Sequence, residues 1–391
     1  MMTSDKAKKI LPGSTIGVLG GGQLGRMLAL AGRHMGYRFV TLDPTPDAPC
    51  GQVADRQITA AYHDVTAAAI LAEQCDVITY EFENVDAAVT EMLMNESYVP
   101  QGSELLYTTQ HRIREKQAIE AAGVQVAPYE EIHSLAGLKE AVGRFGMPCV
   151  LKTATGGYDG KGQWVIRSEE EIEDAYETLL KAKTDLVLEK FIRFEKEISV
   201  IAARSPRGEV RAFPAAENVH VDNILHLSIV PARVDAHILQ KAEQLAVRIA
   251  ESMEVIGLIA VEMFLTPDGE LYVNELAPRP HNSGHYTMEA CKTSQFEQHI
   301  RAICNLPLGS TELMSPVVMV NVLGEHVQPV LDFLEAQEKD PEEATVKVHL
   351  YGKHEAKPKR KMGHLNVLAD TTEKALSWIE QTRIWESKDS E

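Results

Sequence analysis

Positive charge is scarce in this chain: 39 lysines and arginines stand against 57 aspartates and glutamates, a net charge of -18. Such an excess of acid argues against nucleic acid or an anionic membrane as the main partner. An anionic small molecule must then be held by a local basic pocket. Cysteine is also sparse. Cys50, Cys75, Cys149, Cys291 and Cys304 are odd in number and scattered, with no CxxC pair, which excludes a disulfide framework or a zinc site and suggests reduced cytosolic thiols. Long apolar runs are missing too. The run Ile16 to Leu19 that follows Lys6, Lys8 and Lys9 is too short for a signal-peptide core, and no later run approaches a membrane span, so a cytoplasmic protein is expected. At 391 residues there is material for two or three domains.

What is present centres on residues 149 to 163, CVLKTATGGYDGKGQ. A short apolar strand ends near Lys152, whose ammonium leaves the strand as a fixed point charge suited to polyphosphate. Behind it Gly156, Gly157, Gly160 and Gly162 remove the Cβ atoms that keep backbone N–H groups away from an anion. Plain hairpin loops carry similar glycine runs. The usual phosphate-loop pattern fails, because the lysine precedes the glycines and no GK[ST] opens a helix. Gln163 to Ile166 reads as a second strand. Strand, glycine loop, strand is an arrangement that resembles the ATP-grasp enzymes.

Residues 14 to 43 read as a βαβ unit in which Gly20, Gly22 and Gly25 fit G-x-G-x-x-G and Asp43 ends the next strand, so an NAD enzyme is an alternative. The proline-broken PTPDAPC that follows disfavours it. A single phosphate ester received at the helix N-terminus, Gly22 and Gln23, is the preferred reading. The strand at 75 to 85 ends in Glu81 and Glu83, which share one face while Phe82 takes the other. Carboxylates at such a strand end face the ligand crevice. An amphipathic helix over 110 to 122 opens the second domain, with Arg112 near its start able to reach phosphate or to pair with a carboxylate.

The stretch from 255 to 285 is a hairpin turning at Pro267-Asp268-Gly269. A two-residue turn at Asp268-Gly269 sets Glu262 directly opposite Glu275; a three-residue loop with a glycine bulge shifts that register by one. Facing carboxylates repel unless a cation lies between them. Magnesium, which takes one or two carboxylates plus substrate phosphates, fits that position. Asn274 adds an oxygen or a donor, and prolines on both sides of Arg279 present its guanidinium at the head of the polar run RPHNSGH. From about residue 308 short strands predominate, and the basic cluster Lys353, Lys357, Lys359, Arg360 and Lys361 is a candidate phosphate pocket in an acidic chain.

The ordered set GGGQLGRM, GGYDGKGQ, EKFI followed by Glu197, NELAPRPHNSGH and YGK-x6-R resembles the N5-carboxyaminoimidazole ribonucleotide synthetase family of ATP-grasp ligases across essentially the whole chain. The resemblance implies an α/β and α+β protein. It would comprise a Rossmann-like pre-ATP-grasp domain over 1–110, an ATP-grasp domain over 111–307 and a small β-rich C-terminal domain over 308–391. It implies that ATP phosphorylates bicarbonate and that the carboxyl group passes to 5-aminoimidazole ribonucleotide, commonly in a homodimer. ATP would be held by Arg112, Lys152, the loop Gly157, Tyr158, Asp159, Gly160, Lys161, Gly162 and Gln163, the adenine-reading segment Glu189, Lys190, Phe191 and Ile192, and by Glu197, His220, Asn274 and Glu275. Glu262 and Glu275 would hold magnesium. Catalysis would fall to Lys152, Asp159, Arg279, His281, Asn282, Lys353 and Arg360, and the ribonucleotide would meet Gly22, Gln23, Glu81, Glu83, Tyr158, Asp159, Asn282, Lys353 and Arg360. A formate-using or biotin-carboxylating ATP-grasp ligase, a Rossmann oxidoreductase and a nucleotide-binding regulator without turnover are the rival readings.

Overall fold

The structure, a computed structural model, describes residues 8–157, 160–337 and 343–386. The N-terminal unit is a parallel sheet of β1 (Thr15–Leu19), β2 (Arg38–Asp43), β3 (Arg56–Thr59) and β4 (Val77–Tyr80) in the order β3-β2-β1-β4. Strands β1, β2 and β4 are largely apolar because helices cover them: Ile16, Val18, Phe39, Leu42, Val77 and Ile78 are all buried. The chain winds outward from β1 in opposite directions to β2 and β4. The crevice at this switch point opens beside the C-terminal ends of β1 and β4, where Gly20–Gln23 and Glu81–Glu83 lie.

A second, antiparallel sheet comprises β5 (Tyr129–Ile132), β6 (Cys149–Thr153), β7 (Gln163–Ile166) and β8 (Leu186–Lys190), in the order β5-β8-β6-β7. Helices Leu135–Phe145 and Glu171–Leu180 bury Leu138, Val142, Ile172 and Leu179 against its Leu151, Ile166 and Leu188. The glycine loop joins β6 to β7, with Lys152 paired in register with Gln163.

The third sheet carries β9 (Lys196–Arg204), β10 (Val210–Ala212), β11 (Ala216–Val221), β12 (Ile224–Val230), β13 (Gly257–Leu265), β14 (Leu271–Ala277), β15 (Val317–Leu323), β16 (Thr345–Leu350) and β17 (Lys361–Leu368). Its order is β14-β13-β9-β11-β12-β15-β17-β16, with β10 paired to β9. The strands after residue 308 join this sheet by hydrogen bonding. β15 pairs with β12, Val230 opposite Val317 and Leu227 opposite Val320, and continues the sheet. An unpaired β12 edge would offer a row of free backbone groups beside the apolar Ile229 and Val230, and β15 supplies the partner.

The hairpin of β13 and β14 turns through a three-residue loop: Thr266 N donates to Glu270 O at 2.9 Å, and Gly269 adopts φ +82. Near the turn Leu265 faces Leu271 and Met263 faces Val273, the register shifted by one. A bulge then leaves Asn274 without a counterpart and restores the pairing of Glu262 with Glu275.

Candidate active site

On β13 the side chains of Val261, Met263 and Leu265 pack into the core beneath helix Ala236–Ser252, so Glu262 between them points to the other face. The bulge at Asn274 changes the parity of β14. Leu271 and Val273 face that core before it and Leu276 after it, and Glu275 turns to the same side as Glu262. Removal from water and the neighbouring Glu275 together push the Glu262 carboxyl above its ordinary range. Glu262 pairs with His281 Nε2 at 3.2 Å, and His281 Nδ1 lies 2.9 Å from Ser283 Oγ, which in turn meets Ser199 Oγ at 2.9 Å. Burial, then the adjacent Arg279, hold the His281 imidazole well below its usual range and hence neutral. On the same face Glu197 pairs with His220 Nδ1 at 3.0 Å. Burial opposes the charged imidazole there, but Glu197 outweighs it and raises the His220 pKa.

Across the cleft, Lys152 is buried and donates to Glu189 Oε2 at 2.9 Å, while Lys116 reaches Glu189 Oε1 at 3.2 Å. Burial works against ionisation of Glu189, yet Lys152, Lys116 and Arg112 hold its pKa down to about 2. Burial likewise depresses Lys152, with Glu189 opposing. Arg112 joins the two sides. Its Nη1 lies 3.6 Å from Glu275 Oε2, and a Cβ at Gly157 would come 3.4 Å from its Nη2. Gly162, at φ +71, brings the loop so close to β6 that a Cβ would lie 2.5 Å from Thr153 Oγ1. Gly160 packs equally closely on Asn223 at the tip of the β11–β12 hairpin. Lys161 is exposed in this loop, and Tyr158 and Asp159 lie outside the described residues. Glu189 and Lys190 end β8, and Phe191 and Ile192 lead from it toward β9, so this segment bridges the two antiparallel sheets.

At the mouth of the parallel sheet, Gly22 N and Gly25 N both donate to the carboxylate of Glu81. The helix N-terminus expected to take a phosphate ester through Gly22 and Gln23 thus meets the protein's own Glu81 carboxyl, which occupies the Gly22 and Gly25 donors. Glu81 and Glu83 also divide: Glu83 pairs instead with Arg279 Nη2 at 2.9 Å. The loop between β16 and β17 brings further positive charge toward this crevice. Gln52 Nε2 donates to Gly352 O at 2.8 Å, tying the YGK loop to the N-terminal unit, and Lys353 Nζ donates to Lys361 O at 2.6 Å. Burial, then nearby Arg360, lower the Lys353 ammonium to about 8. Arg360 is exposed and donates to Glu355 O at 2.9 Å.

Two buried charges escaped the sequence reading. Glu115, 2% exposed, accepts from Leu276 N at 2.7 Å, and burial and Glu275 push its carboxyl upward; Lys116 is 1% exposed beside Glu189. Both lie one helical turn beyond Arg112, and that spacing was their only signal. Among the described residues no group of three or more His, Cys, Asp or Glu side chains is placed to hold a metal ion alone. The facing Glu262 and Glu275 carboxylates are of the kind and number that a divalent cation takes when ligand phosphates complete its shell. Neither polar atom of the buried Asn282 amide has a hydrogen-bond partner among the described residues, which marks an open polar position beside His281.

A glycine loop between two strands, beside a sheet that presents paired carboxylates, is the arrangement of ATP-grasp ligases, and the ATP-grasp domain family matches residues 117–296. A ribonucleotide synthetase preATP-grasp domain matches 13–110, and a phosphoribosylaminoimidazole carboxylase C-terminal domain matches 317–377. The N5-carboxyaminoimidazole ribonucleotide synthase of Bacillus subtilis (strain 168) is 52% identical over 382 residues, covering 97% of each chain. A solved ADP complex of an N5-carboxyaminoimidazole ribonucleotide synthetase superposes with a TM-score of 0.92 at 55% identity, covering 97% of this chain and 98% of that one. The Aspergillus clavatus synthase in complex with ADP and 5-aminoimidazole ribonucleotide superposes with a TM-score of 0.86 at 34% identity, covering 94% and 97%. The chain belongs to the N5-carboxyaminoimidazole ribonucleotide synthase family.

Proposed function

We propose that this ATP-grasp ligase carboxylates 5-aminoimidazole ribonucleotide in purine biosynthesis, using ATP and bicarbonate and releasing ADP and phosphate. A bicarbonate oxygen attacks the γ-phosphorus as the bond to ADP breaks. The N5 amine then takes the carboxyl group as phosphate leaves. The observation that carries this reading is the convergence of the Glu262–Glu275 pair with Arg112 on one side and His281 and Arg279 on the other.

Lys152 and Arg112 stabilise the transferring phosphoryl group, and Glu189 holds Lys152 aimed at it; catalysis of this kind is mainly positioning and electrostatics. A magnesium ion held by Glu262 and Glu275 would neutralise charge on the β- and γ-phosphates. Neutral His281 with Asn282 and Arg279 orients bicarbonate and the acyl phosphate formed from it. The segment Glu189 to Ile192 receives adenine, and Glu197 with His220 the ribose. Asn274, Gly157, Gly160, Lys161, Gly162 and Gln163 line the phosphate chain, and with Tyr158 and Asp159 they exclude the water that would destroy the acyl phosphate. Lys353 and Arg360 bind the ester phosphate, while Glu83 touches the ribonucleotide. Glu81 serves as the cap that shapes this wall, with Gly22 and Gln23 contributing the backbone beside it.

We also place the enzyme in the cytoplasm as a homodimer, tested by fractionation and by light scattering. Free cysteines support the first, and no helix among the described residues is long and apolar enough to cross a membrane. The functional test is ADP production with ATP, bicarbonate or the aminoimidazole nucleotide omitted in turn. Full turnover with formate, or without the aminoimidazole nucleotide, would refute the assignment.

A further inference from the structure

Gln295 is the first residue of helix Gln295–Ile303, which is capped by Ser294, and it is wholly buried. Its side-chain amide treats the backbone of His281 as a neighbouring strand would. His281 N donates to Gln295 Oε1 at 2.9 Å, and Gln295 Nε2 donates to His281 O at 2.8 Å. The second amide hydrogen goes to His285 Nδ1 at 3.1 Å. All the groups of this amide that face the loop are used, and the pattern fixes its orientation, since a flipped amide would set N–H against N–H. The approach is close because residue 284 is glycine: a Cβ there would lie 2.7 Å from Gln295 Oε1. Gln295 is itself anchored, its N donating to Thr287 Oγ1 at 2.8 Å while Thr287 Oγ1 donates to Gly284 O at 2.7 Å.

The loop held in this way carries Arg279, His281 and Asn282. Its other supports act on side chains rather than on the His281 backbone: the buried Ser199–Ser283 hydroxyl pair at 2.9 Å, which meets His281 Nδ1, and the Glu83–Arg279 pair, in which both side chains remain about a quarter exposed. We infer that Gln295 is a positioning residue for carboxyl transfer: it fixes the His281 backbone so that the acyl phosphate formed at the loop is delivered to the amine rather than lost to water. This inference rests on the proposed function. It adds that the coupling of ATP cleavage to product is set by a helix residue that touches no substrate. Misplacement of reacting groups by about 1 Å can cost on the order of 100-fold in rate.

The test compares Gln295→Glu, which keeps the shape and one acceptor but sets oxygen against His281 O and His285 Nδ1, with Gly284→Ala, which displaces the same amide from the opposite side. For each, melting temperature, ADP affinity, KM for ATP, kcat and phosphate released per carboxylated product are measured beside the wild type. The expected result is unchanged ADP affinity and ATP KM within about twofold, with kcat for product reduced on the order of 10- to 100-fold and more than one phosphate released per product. Wild-type kcat and stoichiometry in both folded variants would overturn the inference alone. Parallel loss of ADP affinity and activity in both, at lowered melting temperature, would also overturn it by assigning Gln295 a purely structural role. A wild type that makes no ADP in response to bicarbonate and the aminoimidazole nucleotide would overturn the proposed function and this inference with it.

Discussion

Replacing Glu275 by glutamine separates the catalytic from the structural demands on the site. Glu275 faces Glu262 across the hairpin and meets Arg112 at 3.6 Å, with 42% of its side chain exposed. Relieving a like-charge cross-strand pair stabilises by roughly 0.2–1 kcal/mol. Losing a half-exposed ion pair costs roughly 0–1 kcal/mol once solvent screening is allowed for. The two nearly cancel, so the melting temperature moves by no more than about 2–4 °C. Catalysis has no such offset. Removing one electrostatic stabiliser of a developing charge costs about 2.7–4 kcal/mol, a loss on the order of 100- to 1000-fold in kcat. Differential scanning calorimetry and a coupled ADP assay on the same preparation read both quantities. Near wild-type turnover would refute the ligand assignment; a fall of 10 °C or more with the activity loss would show that Glu275 is structural.

Two further consequences follow from the buried charges. Lys353, lowered to about 8, is charged below that pH and loses its proton above it, so affinity for the phosphorylated substrate falls by about tenfold from pH 7 to pH 9. Lys353→Met binds weakly at both pH values and shows no such step; an unchanged pH profile in that variant would place the phosphate elsewhere. Glu189→Leu strands Lys152 and Lys116 in the interior without a counter-charge and destabilises by about 3–5 kcal/mol, read from urea midpoints. A wild-type midpoint would mean that the two lysines do not depend on Glu189.

The sequence made the facing acids visible, although by an incomplete route. The pairing of Glu262 with Glu275 is real, but it comes from a three-residue loop followed by a bulge at Asn274, not from a two-residue turn. A bulge has no strong local signature, because it depends on which residues the core accepts on either side of it. Glycine spacing placed Gly22 at a helix N-terminus correctly. It did not reveal that Glu81, 59 positions later, would occupy that terminus, since the contact exists only after β1 and β4 pair. The junction of β15 with β12 is similarly nonlocal: both segments read as apolar strands, but nothing in either names its neighbour. Glu115, Lys116 and Gln295 were invisible for a related reason, as polar residues on amphipathic helices read as solvated until packing buries them.

The central claim is that bicarbonate, rather than water or the ribonucleotide, accepts the γ-phosphoryl group. Oxygen-18-labelled bicarbonate tests it directly, in a single turnover completed before the label exchanges with solvent. One labelled oxygen should appear in each released phosphate, because the oxygen that attacks phosphorus stays with it when the carboxyl group is transferred. Phosphate carrying only unlabelled oxygen, at normal product yield, would contradict the account.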